Sequence, residues 1–131
     1  MSKPIKEIVV TTPDNKSDRV LAVFDSGSFY TILRDDKVPK GASILKRAIP
    51  REFKAASKGS KLVATGEVSL VMTIGEKMVD DVVLISPDLA QEMLVGAGTM
   101  QKWDISISNK NGTTEIVVGR DMRDPHIMEV D

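Results

Sequence analysis

The sequence predicts an all-β fold, a barrel or a sandwich, with helix confined to short pieces. Three observations lead there. Apolar positions alternate with polar ones at the period of a half-buried strand, most clearly Val68, Leu70, Met72 and Ile74 against Ser69 and Thr73. Turn chemistry interrupts the chain at short intervals, as at Pro13-Asp14-Asn15-Lys16, Gly75-Glu76-Lys77 and Asn109-Lys110-Asn111-Gly112. Helical signals are limited to Thr99-Met100-Gln101-Lys102-Trp103 and to a turn or two after Ser86-Pro87-Asp88.

Taken in order, Ile8-Val9-Val10-Thr11-Thr12 and Arg19-Val20-Leu21-Ala22-Val23-Phe24 flank the first turn cluster and predict a β-hairpin. Phe29-Tyr30-Thr31-Ile32-Leu33 predicts another strand. The polar stretch 34–42, with Pro39 and Gly41, predicts a loop, and 44–49 a short strand that Pro50 ends. Leu62-Val63-Ala64 leads into the alternating run 68–74, and 78–85 returns as its partner. Ser86 as cap and Pro87 in a first turn predict a brief helix, before Met93-Leu94-Val95 reads as strand again. Gly96-Ala97-Gly98 breaks that strand, and Thr99 stands near the cap of the next helix. Residues 105–108 and 114–118 form a closing hairpin around Asn111-Gly112, a pair that tolerates positive φ. The tail 119–131 is charged and carries Pro125.

Composition narrows the function classes. The 131 residues fit one domain, 1–131, with a core of about 5–118. A net charge of -1 from nearly balanced ions argues against a nucleic-acid partner. There is no cysteine, hence no disulfide and no thiol nucleophile, and His126 alone does not make a multi-histidine metal site. No cofactor or metal is expected. No apolar run approaches the about 20 residues of a membrane helix, so neither a membrane partner nor a signal segment is expected, and the expected compartment is the cytoplasm.

The residues that carry chemistry are Asp25-Ser26-Gly27-Ser28, directly after the apolar strand 20–24. The motif occurs once. A lone carboxylate is a poor catalyst of amide hydrolysis. Two held together cannot both ionise cheaply and share a proton, so that one can accept from a water while the other donates to the carbonyl oxygen. A second copy of the chain is therefore required.

At these residues the chain resembles the retropepsin-like aspartic proteases, single-domain relatives of pepsin. Their Asp-(Thr/Ser)-Gly-(Ala/Ser) signature matches Asp25 to Ser28. Their second signature, two apolar residues and a glycine before a short helix, matches Leu94-Val95-Gly96 followed by 97–103. The flap hairpin expected between them falls at 53–74. The resemblance implies a small closed β-barrel of the retropepsin type with one short C-terminal helix. It implies an aspartic endopeptidase active as a homodimer on peptide or protein substrates, with Asp25 as the catalytic carboxylate from each subunit. Ser26 would hydrogen-bond across the dimer, Gly27 would contact substrate backbone, and Ser28 would donate to the outer oxygen of Asp25. The flap and substrate-binding residues would be Ala56, Ser57, Lys58, Gly59 and Ser60. Residues 5–10 and the tail segment 119–131, 127–130 above all, are the candidates for dimer contact.

The sequence departs from retroviral members in two ways. Where they carry an acid and its arginine partner, this chain has Phe29 and Ala97, and its flap tip has a single glycine and two lysines over 55–61. The alternative function is a non-catalytic peptide-binding or assembly module on the same fold. A serine-nucleophile reading of Ser26 fails for want of a base, since His126 lies beside Pro125 in the tail. A dinucleotide loop at Gly96-Ala97-Gly98 fails at Gln101, where the third glycine is needed. Asp35-Asp36 and Asp80-Asp81 lack the spacing of a metal loop. Met100 and Trp103 are expected to pack the helix onto the barrel.

Overall fold

The computed structural model describes residues 4–54 and 61–125. It opens with the hairpin of β1 (Ile5–Thr11) and β2 (Ser17–Asp25), in register from Ile5↔Val23 to Thr11↔Ser17. Alternation decides what lies inside: Ile8 and Val10 of β1 and Val20, Ala22 and Phe24 of β2 are buried, while Leu21 and Asp25 face out. Thr12 closes the turn, its N–H donating to the Lys16 carbonyl (2.9 Å) and its hydroxyl to the Asp14 carboxylate. That hydroxyl holds Asp14 below the usual carboxylate range.

Five further strands complete the main sheet: β3 (Ile32–Arg34), β4 (Leu45–Lys54), β5 (Lys61–Ile74), β6 (Lys77–Ser86) and β7 (Met93–Gly96). Their order is β1-β2-β7-β3-β6-β5-β4, and β1 also pairs with β5 through Val9↔Thr73 to Thr11↔Val71. That extra pairing closes six strands into a barrel and leaves β4 outside, attached to β5. Helix α1 (Ala97–Lys102) follows β7 without a loop. Strands β8 (Ile105–Lys110) and β9 (Thr113–Val118) form a separate ribbon. Its turn has φ of 53° at Asn111 and 76° at Gly112, the two left-handed positions that a type I′ hairpin requires.

The barrel encloses Phe24, Leu33, Leu70, Met72, Ile85, Met93 and Val95, with Met100, Trp103 and Ile105 packed against the same cluster. Each such side chain contributes roughly 1.5–3 kcal/mol by leaving water. The indole N–H of Trp103 donates to the Asp80 carbonyl (2.8 Å), so α1 is fastened to β6 as well as packed. A second, smaller cluster of Ile32, Ala64, Leu84 and Leu89 lies under Tyr30, Phe53, Leu62 and Leu94. The expected packing role of Met100 and Trp103 is what the structure has. Among the described residues no helix is long and apolar enough to cross a membrane.

Several local expectations are corrected. Pro50 does not end its strand: β4 runs on to Lys54, and its register with β5 shifts between Lys46 and Arg51. On an outermost strand at an irregularity the missing N–H of proline costs no ladder bond. The helix at Ser86-Pro87-Asp88 is absent, because those side chains bind across to β5 instead. The Ser86 hydroxyl donates to the Val63 carbonyl (2.7 Å), and the Val63 N–H donates to Asp88 (2.8 Å). The run 62–74 is one continuous strand, and the stretch 34–42 contains a 3-10 turn at Asp35–Lys37. Only Ile32 and Leu33 of the run 29–33 join a strand. For β1 as a dimer contact, Val9 to Thr11 are already paired on both sides, which leaves the outer edge of residues 5–8. Of the flap tip, 55–60 lie outside the described residues and Lys61 opens β5; 126–130 also lie outside them.

The segment after β9 is held by Asp121, a buried carboxylate. It accepts from Arg123 through Nε (3.0 Å), Nη2 (2.6 Å) and the backbone N–H (2.9 Å), and from the Met78 N–H (3.3 Å). The guanidinium and these donors hold its carboxyl well below its ordinary value of 3.8. A depressed folded-state pKa gives stability that is complete above the unfolded value and lost as pH falls below it. Asp121→Asn should therefore be less stable than the parent at neutral pH. The gap should narrow steadily as pH drops below 3.8, checked by urea denaturation across an acid pH series.

Candidate functional site

Two segments far apart in the sequence end side by side. Strand β2 pairs in parallel with β7 from Ala22↔Met93 to Asp25↔Gly96, so the Asp-Ser-Gly and Leu-Val-Gly motifs meet at the carboxyl ends of neighbouring strands. Asp25, the last residue of β2, is exposed. Its carboxylate Oδ1 accepts the Gly27 N–H (2.9 Å) and its carbonyl accepts the Ser28 N–H (3.2 Å), which turns the chain sharply. A Cβ at Gly27 would lie 3.1 Å from that same Oδ1, so glycine leaves room for the turn to close on the carboxylate.

The loop then caps α1. Gly96, at the N-cap, has no side chain to satisfy the free N–H groups of the first turn. The loop carbonyls do so: Ala97 N–H donates to Ser28 (2.5 Å) and Gly98 N–H to Phe29 (2.9 Å). This is why Phe29 leaves the strand pattern, as its carbonyl is bound to the helix, while that of Tyr30 accepts the Ser28 hydroxyl. Strand β3 resumes at Ile32, beside β7 and β6.

Beneath the loop runs a chain of hydrogen bonds. Gly96 N–H donates to Thr31 Oγ1 (3.0 Å), Thr31 and Thr99 hydroxyls lie 2.5 Å apart, and Thr99 donates to Asp81 Oδ2 (2.7 Å). Since the Thr99 proton goes to Asp81, Thr31 donates to Thr99, and every group is satisfied in one direction. Both threonines are buried. Thr99 is thus a linchpin inside α1, not the cap expected of it. Thr31→Val keeps the shape but strands the Gly96 N–H. It should cost about 1–3 kcal/mol in urea denaturation, while Thr31→Ser should recover most of the loss.

Among the other residues picked out in the sequence, Ser26 and Gly27 are exposed, Leu94 is half-buried, and Val95 and Gly96 are buried. Ser28 is half-buried and its hydroxyl donates to the Tyr30 carbonyl (3.2 Å), so its proton is not directed at Asp25 within the single chain. Phe29 is exposed and packs its ring edge-on to Tyr30, with centroids 5.2 Å apart. The hairpin of β4 and β5 projects as far as the pair Lys54↔Lys61, and Ala56, Ser57, Lys58, Gly59 and Ser60 fall in the undescribed tip beyond it. Of the aspartate pairs, Asp36 bonds Arg34 (2.7 Å) and Asp81 holds Thr99.

Sequence reasoning missed Thr31, Tyr30, Arg51 and Phe53. A hydroxyl in the apolar run Thr31-Ile32-Leu33 was a usable signal for Thr31, since buried hydroxyls need partners. Arg51 and Phe53 share a face of β4 by alternation, but nothing local marks Tyr30 as their partner, which they meet only in the fold: the Arg51 guanidinium lies 4.5 Å above the Tyr30 ring and 5.2 Å from that of Phe53.

No protein-family model and no curated protein matches the chain. Solved structures do. The retroviral protease-like domain of Ddi1 from Leishmania major is similar with a TM-score of 0.55 and 11% identity, covering 92% of this chain and 100% of that one. The EIAV protease, in complex with the inhibitor HBY-793, is similar with a TM-score of 0.53 and 9% identity, covering 77% and 88%. The closed barrel, the parallel junction at Asp25 and Gly96, and the helix that follows it form a retropepsin-like aspartic protease fold.

Proposed function

We propose that the chain is an aspartic endopeptidase that works as a homodimer. The observation that carries the reading is the junction itself. An exposed carboxylate sits at the end of β2, oriented by the Gly27 N–H and backed by the Gly96 segment, in a chain with one such motif. A two-fold axis beside Asp25 supplies the second carboxylate and makes the interface isologous. The pair holds one proton. The ionised member takes a proton from a water whose oxygen bonds to the peptide carbonyl carbon. The protonated member donates to the carbonyl oxygen. Collapse of the tetrahedral intermediate breaks the C–N bond as a proton passes to the leaving nitrogen. The hairpin of β4 and β5 covers an extended peptide held by main-chain hydrogen bonds. Exposed Phe29, where retroviral relatives carry an acid, gives the interface an apolar contact in place of an ion pair.

The test is cleavage of an unstructured polypeptide from about pH 3 to about pH 7, with and without a statine-type inhibitor. Inhibitor-sensitive cleavage with a bell-shaped pH dependence supports the reading. Peptide binding without cleavage at any pH favours the alternative, a binding module on the same fold.

A further inference from the structure

Arg51 differs from the arginines that face carboxylates. Arg19, Arg34, Arg47 and Arg123 pair with Glu7, Asp36, Glu67 and Asp121. Arg51 has no acidic partner among the described residues and lies against two aromatic rings. Glu52, beside it on β4, points to the opposite face of the strand. One N–H group of Arg51 donates to the Tyr30 hydroxyl (2.5 Å). A guanidinium carries five donors in one plane. The two rings, with centroids 5.2 Å apart, lie on one side of the guanidinium and the tyrosine hydroxyl takes one donor, which leaves further donors free on an exposed residue. The stack therefore fixes the orientation of a charge that no group of the described chain neutralises.

Its place matters as much as its chemistry. Arg51 and Phe53 belong to the outer strand of the projecting hairpin, and Tyr30 belongs to the loop that leaves Asp25, where its carbonyl holds the Ser28 hydroxyl. Arg51 thus bridges the hairpin to the catalytic loop. Below it lies the small apolar cluster of Ile32, Ala64, Leu84 and Leu89. We propose that Arg51, against Tyr30 and Phe53, is a specificity-determining residue that binds the carboxylate of an acidic side chain in the extended peptide, beside an apolar neighbour packed on the half-buried Phe53, Leu62 and Leu94 that cover that cluster. This rests on the reading that the hairpin and Asp25 enclose a peptide. A guanidinium fork accepts a carboxylate through two parallel hydrogen bonds, which a neutral amide cannot match.

The test walks a single Glu, against Gln, along one apolar peptide scaffold. Binding is read by fluorescence anisotropy in the Asp25→Asn background, and cleavage in the otherwise unaltered protein. At one position Glu should be preferred by about tenfold in both measurements, and in Arg51→Gln the ratio of Glu to Gln peptide should fall to about one in both. Arg51→Lys, which keeps charge without the fork, should give an intermediate preference. Cleavage without any Glu preference, or a preference that survives Arg51→Gln, overturns the proposal and leaves the peptidase reading standing. Arg51-dependent binding of Glu peptides without cleavage supports the proposal and overturns the peptidase reading instead.

Discussion

Replacing Asp25 by asparagine is expected to abolish peptide cleavage, with kcat/KM falling by at least about a thousandfold and folding stability changing by less than about 0.5 kcal/mol. The second half of that expectation follows from the geometry. Asp25 is exposed, and the one hydrogen bond its carboxylate makes among the described residues, from the Gly27 N–H, is one that an amide oxygen also accepts. The first half follows from proton sharing, since an amide can neither hold nor release the proton that the pair passes between water and substrate. Mixing adds a sharper consequence. If each active unit needs one carboxylate from each of two chains, an equal mixture of parent and Asp25→Asn chains, after exchange, should retain roughly a quarter of the activity of the same total amount of parent. Retention of about a half would mean that each chain works alone. Stopped assays with a fluorogenic peptide, and urea titration of the same preparations, check both parts.

Gly96→Ala is expected to be among the most damaging single methyl additions in the chain. The added carbon would lie 2.6 Å from the Phe29 carbonyl oxygen and 2.7 Å from its carbon, with the Tyr30 carbonyl nearer still. These are backbone atoms, and no rotamer change moves them aside. Nor can the loop retreat cheaply, because the Ser28 and Phe29 carbonyls accept the first N–H groups of α1 and Thr31 accepts the N–H of Gly96 itself. The expected loss is about 3 kcal/mol. Activity measured under conditions where the variant is still folded should fall further than stability alone predicts, since the displaced loop is the one that orients Asp25. Urea denaturation and kcat/KM on the same sample separate the two. A variant within about 0.5 kcal/mol of the parent would show that β7 and the loop are not in the close contact described.

The sequence revealed those parts of the fold in which a local rule and the tertiary environment agree. The hairpins of β1 with β2, β5 with β6 and β8 with β9 were legible because alternation and turn residues gave the same answer, down to the left-handed pair Asn111-Gly112. Closure of the barrel was not legible locally, because it depends on β1 pairing with β5 over a long stretch of chain. The errors fell where side chains serve distant partners. Ser86 and Asp88 carry a cap signature, yet they bond to Val63 across the sheet. Pro50 would break a strand only where the ladder needs an N–H at its position, and on β4 it does not. Thr99 looked like a cap, and the glycine before the helix left that task to the carbonyls of the preceding loop.

The site divides the same way. Asp25 to Ser28 and Leu94 to Gly96 were visible as motifs, and their meeting at Asp25↔Gly96 is the tertiary fact that makes them one site. The Gly96–Thr31–Thr99–Asp81 chain and the Arg51–Tyr30–Phe53 stack join residues whose types are ordinary in strands and loops. Only the folded arrangement gives them a task.

The central claim is that two copies of this chain bring their Asp25 carboxylates together. Its most direct test is an experimental structure of the protein with a statine-type inhibitor. The account predicts a two-fold dimer with the inner oxygens of the two Asp25 side chains about 3 Å apart and both within reach of the inhibitor hydroxyl. A monomer occupied by inhibitor, or a dimer in which the two Asp25 side chains lie on opposite outer faces, would contradict it.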